Sequence, residues 1–198
     1  MRLAYQGEPG AYSEAAALQF AGPQAETLPC KTFDDVFDAV AKRRATHGVV
    51  PLENSIGGTI HRNYDLLVDH ELPITGEIEL DVVHCLQALP GTKLEDIKIV
   101  YSHPQALAQC ERFLKDLGVT VEAVYDTAGG AKLVAEQKLK GAAALASRRA
   151  AEVFGLDIVQ EAVQDFEFNI TRFFVIGGTL PTNADKTTIV FALPSTPG

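Results

Sequence analysis

The stretch P-I-T-G-E-I-E-L-D-V-V-H-C-L-Q-A-L, Pro73 to Leu89, decides the fold. It holds two extended runs, Pro73 to Val83 and Cys85 to Leu89, with no helical pattern between them. On either side, short apolar or β-branched runs alternate with helical spacing, which signals α/β architecture. The break in that alternation marks the passage from one lobe to another. Two α/β lobes follow, the first at about 1–75 plus 168–178 and the second at about 76–167.

Toward the N-terminus, Arg2 to Gln6 reads as a strand closed by the turn Gly7 to Gly10. An Ala-rich helix follows from about Ser13 to Ala21, with Ser13 as N-cap. Glu26 to Cys30 is a weaker strand, and Phe33, Val36, Phe37 and Val40 recur at helical spacing. Gly48 to Leu52 is a buried strand that ends in a polar, Gly-rich segment, and His61 to Val68 is a helix. Toward the C-terminus the scheme repeats. Strands are expected at Ile97–Tyr101, Val119–Tyr125 and Ala142–Leu145, each leading into a helix, and Phe173–Ile176 returns to the first lobe. Residues 179–185 form a linker, and Lys186 to Leu193 starts a fresh strand.

Composition narrows the partners. Seventeen Lys and Arg stand against 26 acidic residues, a formal charge of −9. That field repels nucleic acid and anionic lipid, so neither is expected as a partner. The opening M-R-L-A-Y-Q-G has no signal-peptide pattern, and no apolar stretch is long enough to span a membrane. Cys30, Cys85 and Cys110 are odd in number and far apart, which fits three reduced thiols in the cytoplasm. The five histidines have no ligand spacing, so no metal is expected.

Four polar segments fall where strands end or helices begin, the usual place for an α/β ligand site. Gly7 to Ser13, G-E-P-G-A-Y-S, offers helix N–H groups that suit a carboxylate. Glu53, Asn54 and Ser55 precede paired glycines at the mouth of a sheet. In S-H-P-Q-A-L-A-Q-C, Ser102 to Cys110, Gln105 and Gln109 lie one turn apart, and His103 has a suitable pKa for proton transfer. In N-I-T-R-F-F, Asn169 to Phe174, Arg172 offers a bidentate fork. Each segment also has a structural reading, as a capped junction, a turn, a packing histidine or an ion pair with Glu167.

Together, in this order, the segments resemble the prephenate dehydratase family. G-x-P-G-A-Y-S, P-x-E-N-S-x-G-G, H-R-N-Y-D-L-L, G-E-I-x-L, S-H-P-Q-A-L-x-Q-C, D-T-A-G-G-A and N-x-T-R-F-F span residues 2 to 177. H-R-N-Y-D-L-L and H-C-L-x-A-L-P-G also resemble plant arogenate dehydratases. The resemblance implies two lobes folded like a type II periplasmic binding protein, with the active site in the cleft between them. It implies a lyase without a cofactor, acting on prephenate or arogenate, in the cytoplasm, or in a plastid if a transit peptide has been removed. Thr171 is the expected catalytic residue, a hydrogen-bond donor to the leaving hydroxyl. Asn54, Ser102, Gln109, Arg172 and Phe173 match family cleft positions; Ser13 and Ser55 join them as substrate-binding candidates and Glu53 as a proton relay. Arg172 is expected to hold the pyruvyl carboxylate while the ring carboxylate meets a drier surface such as Phe173. The tail resembles the opening of the family's ACT regulatory domain, so phenylalanine feedback is expected to be lost. A homodimer is among the assemblies this allows. A non-catalytic binding module for an aromatic acid is the rival from another class.

Overall fold

A computed structural model describes residues 1–180, 182–184 and 186–191. The first lobe is built from β1 (Arg2–Gln6), α1 (Tyr12–Ala21), β2 (Glu26–Cys30), α2 (Phe33–Ala41), β3 (His47–Asn54), β4 (Gly58–Thr59), α3 (His61–His70) and β5 (Ile74–Asp81). The second contains β6 (Cys85–Ala88), β7 (Ile99–Ser102), α4 (Pro104–Gln109), α5 (Glu111–Leu117), β8 (Thr120–Ala123), α6 (Thr127–Glu136), β9 (Ala142–Ala146), α7 (Arg148–Phe154) and β10 (Asp157–Gln160). The last strand, β11 (Ile170–Gly177), re-enters the first sheet.

The two sheets have strand orders β2-β1-β3-β11-β5 and β10-β6-β9-β7-β8, with β4 hooked onto β3. Within the first, β1 pairs in parallel with β2 and β3, while β11 runs antiparallel between β3 and β5. The returning strand needs an acceptor and donor row on both edges, and β5 supplies one of them from Asp81 to Ile74. For this reason the first lobe extends to Asp81, and the chain crosses at Val82–His84 rather than near residue 75. The return crossing lies beside it, tied by Val82 N–H to Asn169 O at 2.7 Å and Val163 N–H to His84 O at 3.0 Å.

Several local readings shift. Helix α1 starts at Tyr12, and its N-cap Ala11 has no side-chain cap; Ser13 falls inside the first turn. The buried Glu14 takes the capping role instead, accepting Gly10 N–H at 2.8 Å. Strands β4 and β10 carry no pattern that the sequence reading used. The strand expected at 186–193 has no ladder: residues 186–191 form none, and 192 and 193 lie outside the described residues. An isolated strand has no neighbour to satisfy its N–H and C=O groups. No helix among the described residues is long and apolar enough to cross a membrane.

The first sheet is packed on both faces. Val50, Leu52, Phe174 and Ile176 meet α2 and α3; Leu3, Val49, Phe173 and Val175 meet α1. The second lobe has its own core around Leu86, Val100, Ala143 and Leu145. A further cluster joins the lobes, with Tyr5 and Ala11 packed against Ala128, Ala146 and Ala150. Polar ties reinforce it. Ser147 Oγ donates to Gly10 O at 2.6 Å, Glu8 N–H donates to Asp126 Oδ2 at 3.0 Å, and Glu8 also holds Tyr125 Oη at 2.6 Å and Lys132 Nζ at 3.0 Å. One wall of the cleft is therefore fixed across the lobe boundary.

Candidate active site

A cleft of about 490 Å³ opens between the two sheets, at the ends of β1, β2 and β3 on one side and β7 and β8 on the other. Its lining brings together Ser13, Asn54, Gln109, Thr171 and Phe173 from the candidates, together with Tyr12, Lys31, His84, His103, Gln105 and Asp126. These loops meet because the strands of an α/β sheet end on a common edge.

Thr171 is 8 % exposed and faces the cleft. Its hydroxyl oxygen accepts a hydrogen bond from Asn54 Nδ2 at 2.9 Å. The cross-strand register, Thr171 opposite Asn54, makes that contact. The Asn54 side chain is buried and filled on both ends. Its Oδ1 accepts Ile56 N–H at 3.1 Å and Gly57 N–H at 2.6 Å, and its Nδ2 also donates to Asn169 Oδ1 at 2.7 Å. Asn169 Nδ2 donates in turn to Gln109 Oε1 at 3.0 Å, and His84 Nε2 lies 2.8 Å from the same oxygen. Tyr12 Oη lies 2.9 Å from His84 Nδ1 and donates to Val83 O at 2.7 Å. A polar chain thus runs from α1, through the crossing and α4, to β3 and β11. Burial pulls the His84 pKa down, partly opposed by its bond to Gln109, and pushes the Tyr12 hydroxyl up well above its ordinary range.

Four candidates lie elsewhere. Arg172 neighbours Thr171 on a strand, so its side chain leaves the opposite face of the sheet. There it pairs with Glu53 at 3.0 Å and lies over the Phe174 ring, 5.6 Å from its centre. Neither Arg172 nor Glu53 lines the cleft. The expected grip of Arg172 on a substrate carboxylate and the expected relay through Glu53 are therefore unavailable in this geometry. Ser102 is fully buried, with Oγ donating to Leu145 O at 2.6 Å, which ties β7 to β9. Ser55 Oγ accepts Ile170 N–H at 3.0 Å and pins β3 to the start of β11. Both are strand ties, and neither is among the lining residues.

His84, Tyr12 and Asp126 join the cleft without being candidates from the sequence. Asp126 caps α6 through Gly129 N–H and accepts Glu8 N–H; burial is the main effect on its carboxyl and raises its pKa. Its signal was present in D-T-A-G-G-A, Asp126 to Ala131. His103 caps α4 by accepting Gln105 N–H at 3.2 Å, and burial lowers its pKa. The cations of the lining reduce to Lys31, on the loop before α2. The three cysteines are free and buried, and burial pushes the Cys110 thiol up to about 12. No cluster of three or more metal-ligating side chains occurs among the described residues.

The prephenate dehydratase family profile matches residues 3–179. Arogenate dehydratase/prephenate dehydratase 2, chloroplastic, of Arabidopsis thaliana is 51 % identical over 204 residues, covering 100 % of this chain and 53 % of the relative. The chain spans about half the length of the curated relatives it matches. A solved protein described as GqqA, a novel type of quorum quenching acylases, superposes with a TM-score of 0.85 at 39 % identity, covering 93 % of this chain and 67 % of that one. Prephenate dehydratase from Arthrobacter aurescens, solved in complex with L-Phe, superposes with a TM-score of 0.84 at 28 % identity, covering 93 % and 63 %.

Proposed function

The chain belongs to the prephenate dehydratase family, and from that membership we propose that its cleft converts prephenate to phenylpyruvate, water and carbon dioxide. The observation that carries the proposal is the bond from Asn54 Nδ2 to Thr171 Oγ1. Asn54 can only donate there, so it fills a lone pair of the hydroxyl and leaves the Thr171 proton free to point into the cleft. A directed donor at that point suits a departing hydroxide.

The electron balance is simple. The ring C–O bond breaks with its electron pair on oxygen, and the bond to the ring carboxylate supplies a pair to the aromatic ring as carbon dioxide forms. The oxygen needs one proton to leave as water. Thr171 stabilises it by hydrogen bonding, and solvent supplies the proton. Aromatisation drives the step, so no cofactor is required. The ring carboxylate loses its charge in the transition state, so a tight cation beside it would slow the reaction. Phe173 and Pro51 offer it a neutral surface. The pyruvyl carboxylate keeps its charge, and Lys31 is its partner in this reading.

A second substrate is favoured by one observation. The lining includes Asp34, whose carboxylate is paired with Arg62 and held below its usual range by that hydrogen bond. Arogenate carries an ammonium where prephenate has a keto oxygen, and an acceptor such as Asp34 would suit it. Comparing kcat/KM on the two substrates ranks them. An acylase reading, prompted by the name of the GqqA relative, finds less support. It needs a nucleophile beside a base, whereas the histidine bonded to a hydroxyl in this cleft is His84, and its partner is the Tyr12 phenol. Three buried thiols fit a reducing compartment, cytoplasm or plastid, the latter in keeping with the chloroplastic relatives.

The decisive test replaces Thr171 by Val and by Ser. Loss of one placed donor costs on the order of 100- to 1000-fold in kcat. Thr171→Val should fall in that range with unchanged folding, and Thr171→Ser should retain most of the rate. Near-normal turnover by the valine variant would remove Thr171 from the role.

A further inference from the structure

We propose that His84 is a positioning residue, held as the neutral Nε2–H tautomer, which supports through Gln109 and Asn169 the Asn54 amide that directs the Thr171 hydroxyl. The proposal rests on the reading of Thr171 as the donor to the leaving oxygen.

The direction of every link follows from groups that cannot reverse. Ile56 and Gly57 present backbone N–H groups, which only donate, so the atom of Asn54 facing them is oxygen. The other end of Asn54 is then NH₂, and it donates both to Thr171 Oγ1 and to Asn169 Oδ1. Asn169 must therefore turn its NH₂ toward Gln109, whose oxygen receives it. The same Gln109 oxygen lies 2.8 Å from His84 Nε2, so that nitrogen carries a proton. The imidazole stays neutral at neutral pH because it is 2 % exposed and its hydrogen-bonded partners, Tyr12 and Gln109, are uncharged. Nδ1 of that neutral ring accepts, so the one Tyr12 phenol proton is shared between Nδ1 at 2.9 Å and Val83 O at 2.7 Å; with both ring nitrogens occupied, His84 acts through its neighbours rather than on the substrate.

Without the Nε2–H donor, the Gln109 amide loses one of the two contacts that fix which way it faces. A reversed Gln109 sets NH₂ against the NH₂ of Asn169, while Asn54 remains pinned by two backbone donors. The conflict lands on Asn169, which shares Asn54 Nδ2 with the Thr171 hydroxyl. His84 also sits on the crossing segment between β5 and β6, so the donor is supported from the point where one lobe becomes the other.

The first measurement is the ¹⁵N spectrum of the imidazole groups in the 198-residue chain, with His84 assigned by His84→Gln. A neutral Nε2–H ring at neutral pH is expected. A neutral Nδ1–H ring, or a cation at that pH, overturns the proposal even if the protein proves inactive, so its failure is separable from failure of the functional reading. The second is kinetic. His84→Ala should lower kcat about 10- to 100-fold with KM within about threefold, the range of losses when a supporting partner is removed. His84→Gln, which can still present an N–H donor to Gln109, should recover most of that loss. Equal damage by both variants while both remain folded, or a loss expressed in KM alone, refutes the positioning role; if His84→Ala does not fold, the glutamine variant and the tautomer decide.

Discussion

Replacing Asn54 by Asp keeps the shape of the side chain and changes one group, NH₂ to a carboxylate oxygen. That oxygen lies where Nδ2 now contacts Thr171 Oγ1 at 2.9 Å, Asn169 Oδ1 at 2.7 Å and Ile170 O at 3.3 Å. The hydroxyl of Thr171 must then donate to the new carboxylate, and its proton is withdrawn from the cleft. Asn169 relieves its own conflict by reversing, which puts NH₂ toward the carboxylate and oxygen toward Gln109. Gln109 reverses in turn and donates to His84 Nε2. His84 moves its proton to Nδ1 and donates to Tyr12 Oη, which already has Val83 O at 2.7 Å as its acceptor. In the variant the chain therefore runs in the opposite direction, and the backbone donors of Ile56 and Gly57 stay satisfied as they are in the parent. The stability cost should be small, about 1–3 kcal/mol, because only the contact with Ile170 O is left repulsive. The rate cost should be large, about 100- to 1000-fold in kcat, the loss of one directed donor. Urea unfolding gives the first quantity, steady-state turnover of prephenate the second, and the ¹⁵N spectrum should report Nδ1–H at His84. Turnover within about threefold of the parent, with the variant folded, would refute the argument that Asn54 directs Thr171.

Three further outcomes are expected. Gly10→Ala should lose about 3 kcal/mol or more in urea unfolding, since Gly10 has φ 90° and a Cβ there would lie 2.6 Å from Ala150 Cα, backbone that cannot yield without moving α7; a loss under about 1 kcal/mol would show that the joined wall between the lobes is soft. Ser102→Ala should cost about 1 kcal/mol of stability by removing the tie to Leu145 O, with kcat within about threefold, whereas a large kcat loss without destabilisation would return Ser102 to the cleft. Burial holds His47, His84 and His103 below their ordinary value of 6.5, so the unfolded chain binds more protons than the folded one as pH drops through that value. Their stability contribution is present above it and is lost on acidification. Asp126, raised by burial, acts the other way at lower pH. The urea midpoint should fall between about pH 7 and 5.5, and less so in His84→Gln; a midpoint that rises would contradict the burial of these rings.

Much of the fold is legible in residues alone. Strand β2 falls at Glu26–Cys30 as read, and the two consecutive extended runs at 73–89 do mark the change of sheet. The boundary lies at Asp81 because β5 is claimed by β11, whose residues stand about 90 to 100 positions later by register, and such pairing leaves no local trace. Adjacency in the motif N-I-T-R-F-F suggests that Arg172 shares the cleft with Thr171. Strand periodicity already argued against it, since neighbours on a strand point to opposite faces. Ser102 illustrates a different limit. A serine at a strand end reads as a ligand or as a tie with equal ease, and only the position of Leu145 O decides. His84 was invisible for the same reason, since its meaning depends on two crossings lying side by side.

The charge distribution bears on the chemistry. The ion pairs near the site, Asp34–Arg62, Glu53–Arg172 and Glu8–Lys132, lie outside the polar chain. The chain itself is made of amides, a phenol, an imidazole and a hydroxyl. In the proposed reaction, a charged donor in place of Thr171 would bind hydroxide more tightly, yet it would also stabilise the ring carboxylate, whose charge must disappear before the ring is aromatic. A neutral donor avoids that opposition, provided its direction is fixed by something other than charge. Fixed amide orientations, anchored on backbone N–H groups, accomplish this in a buried setting where a reversed dipole has no water to turn to.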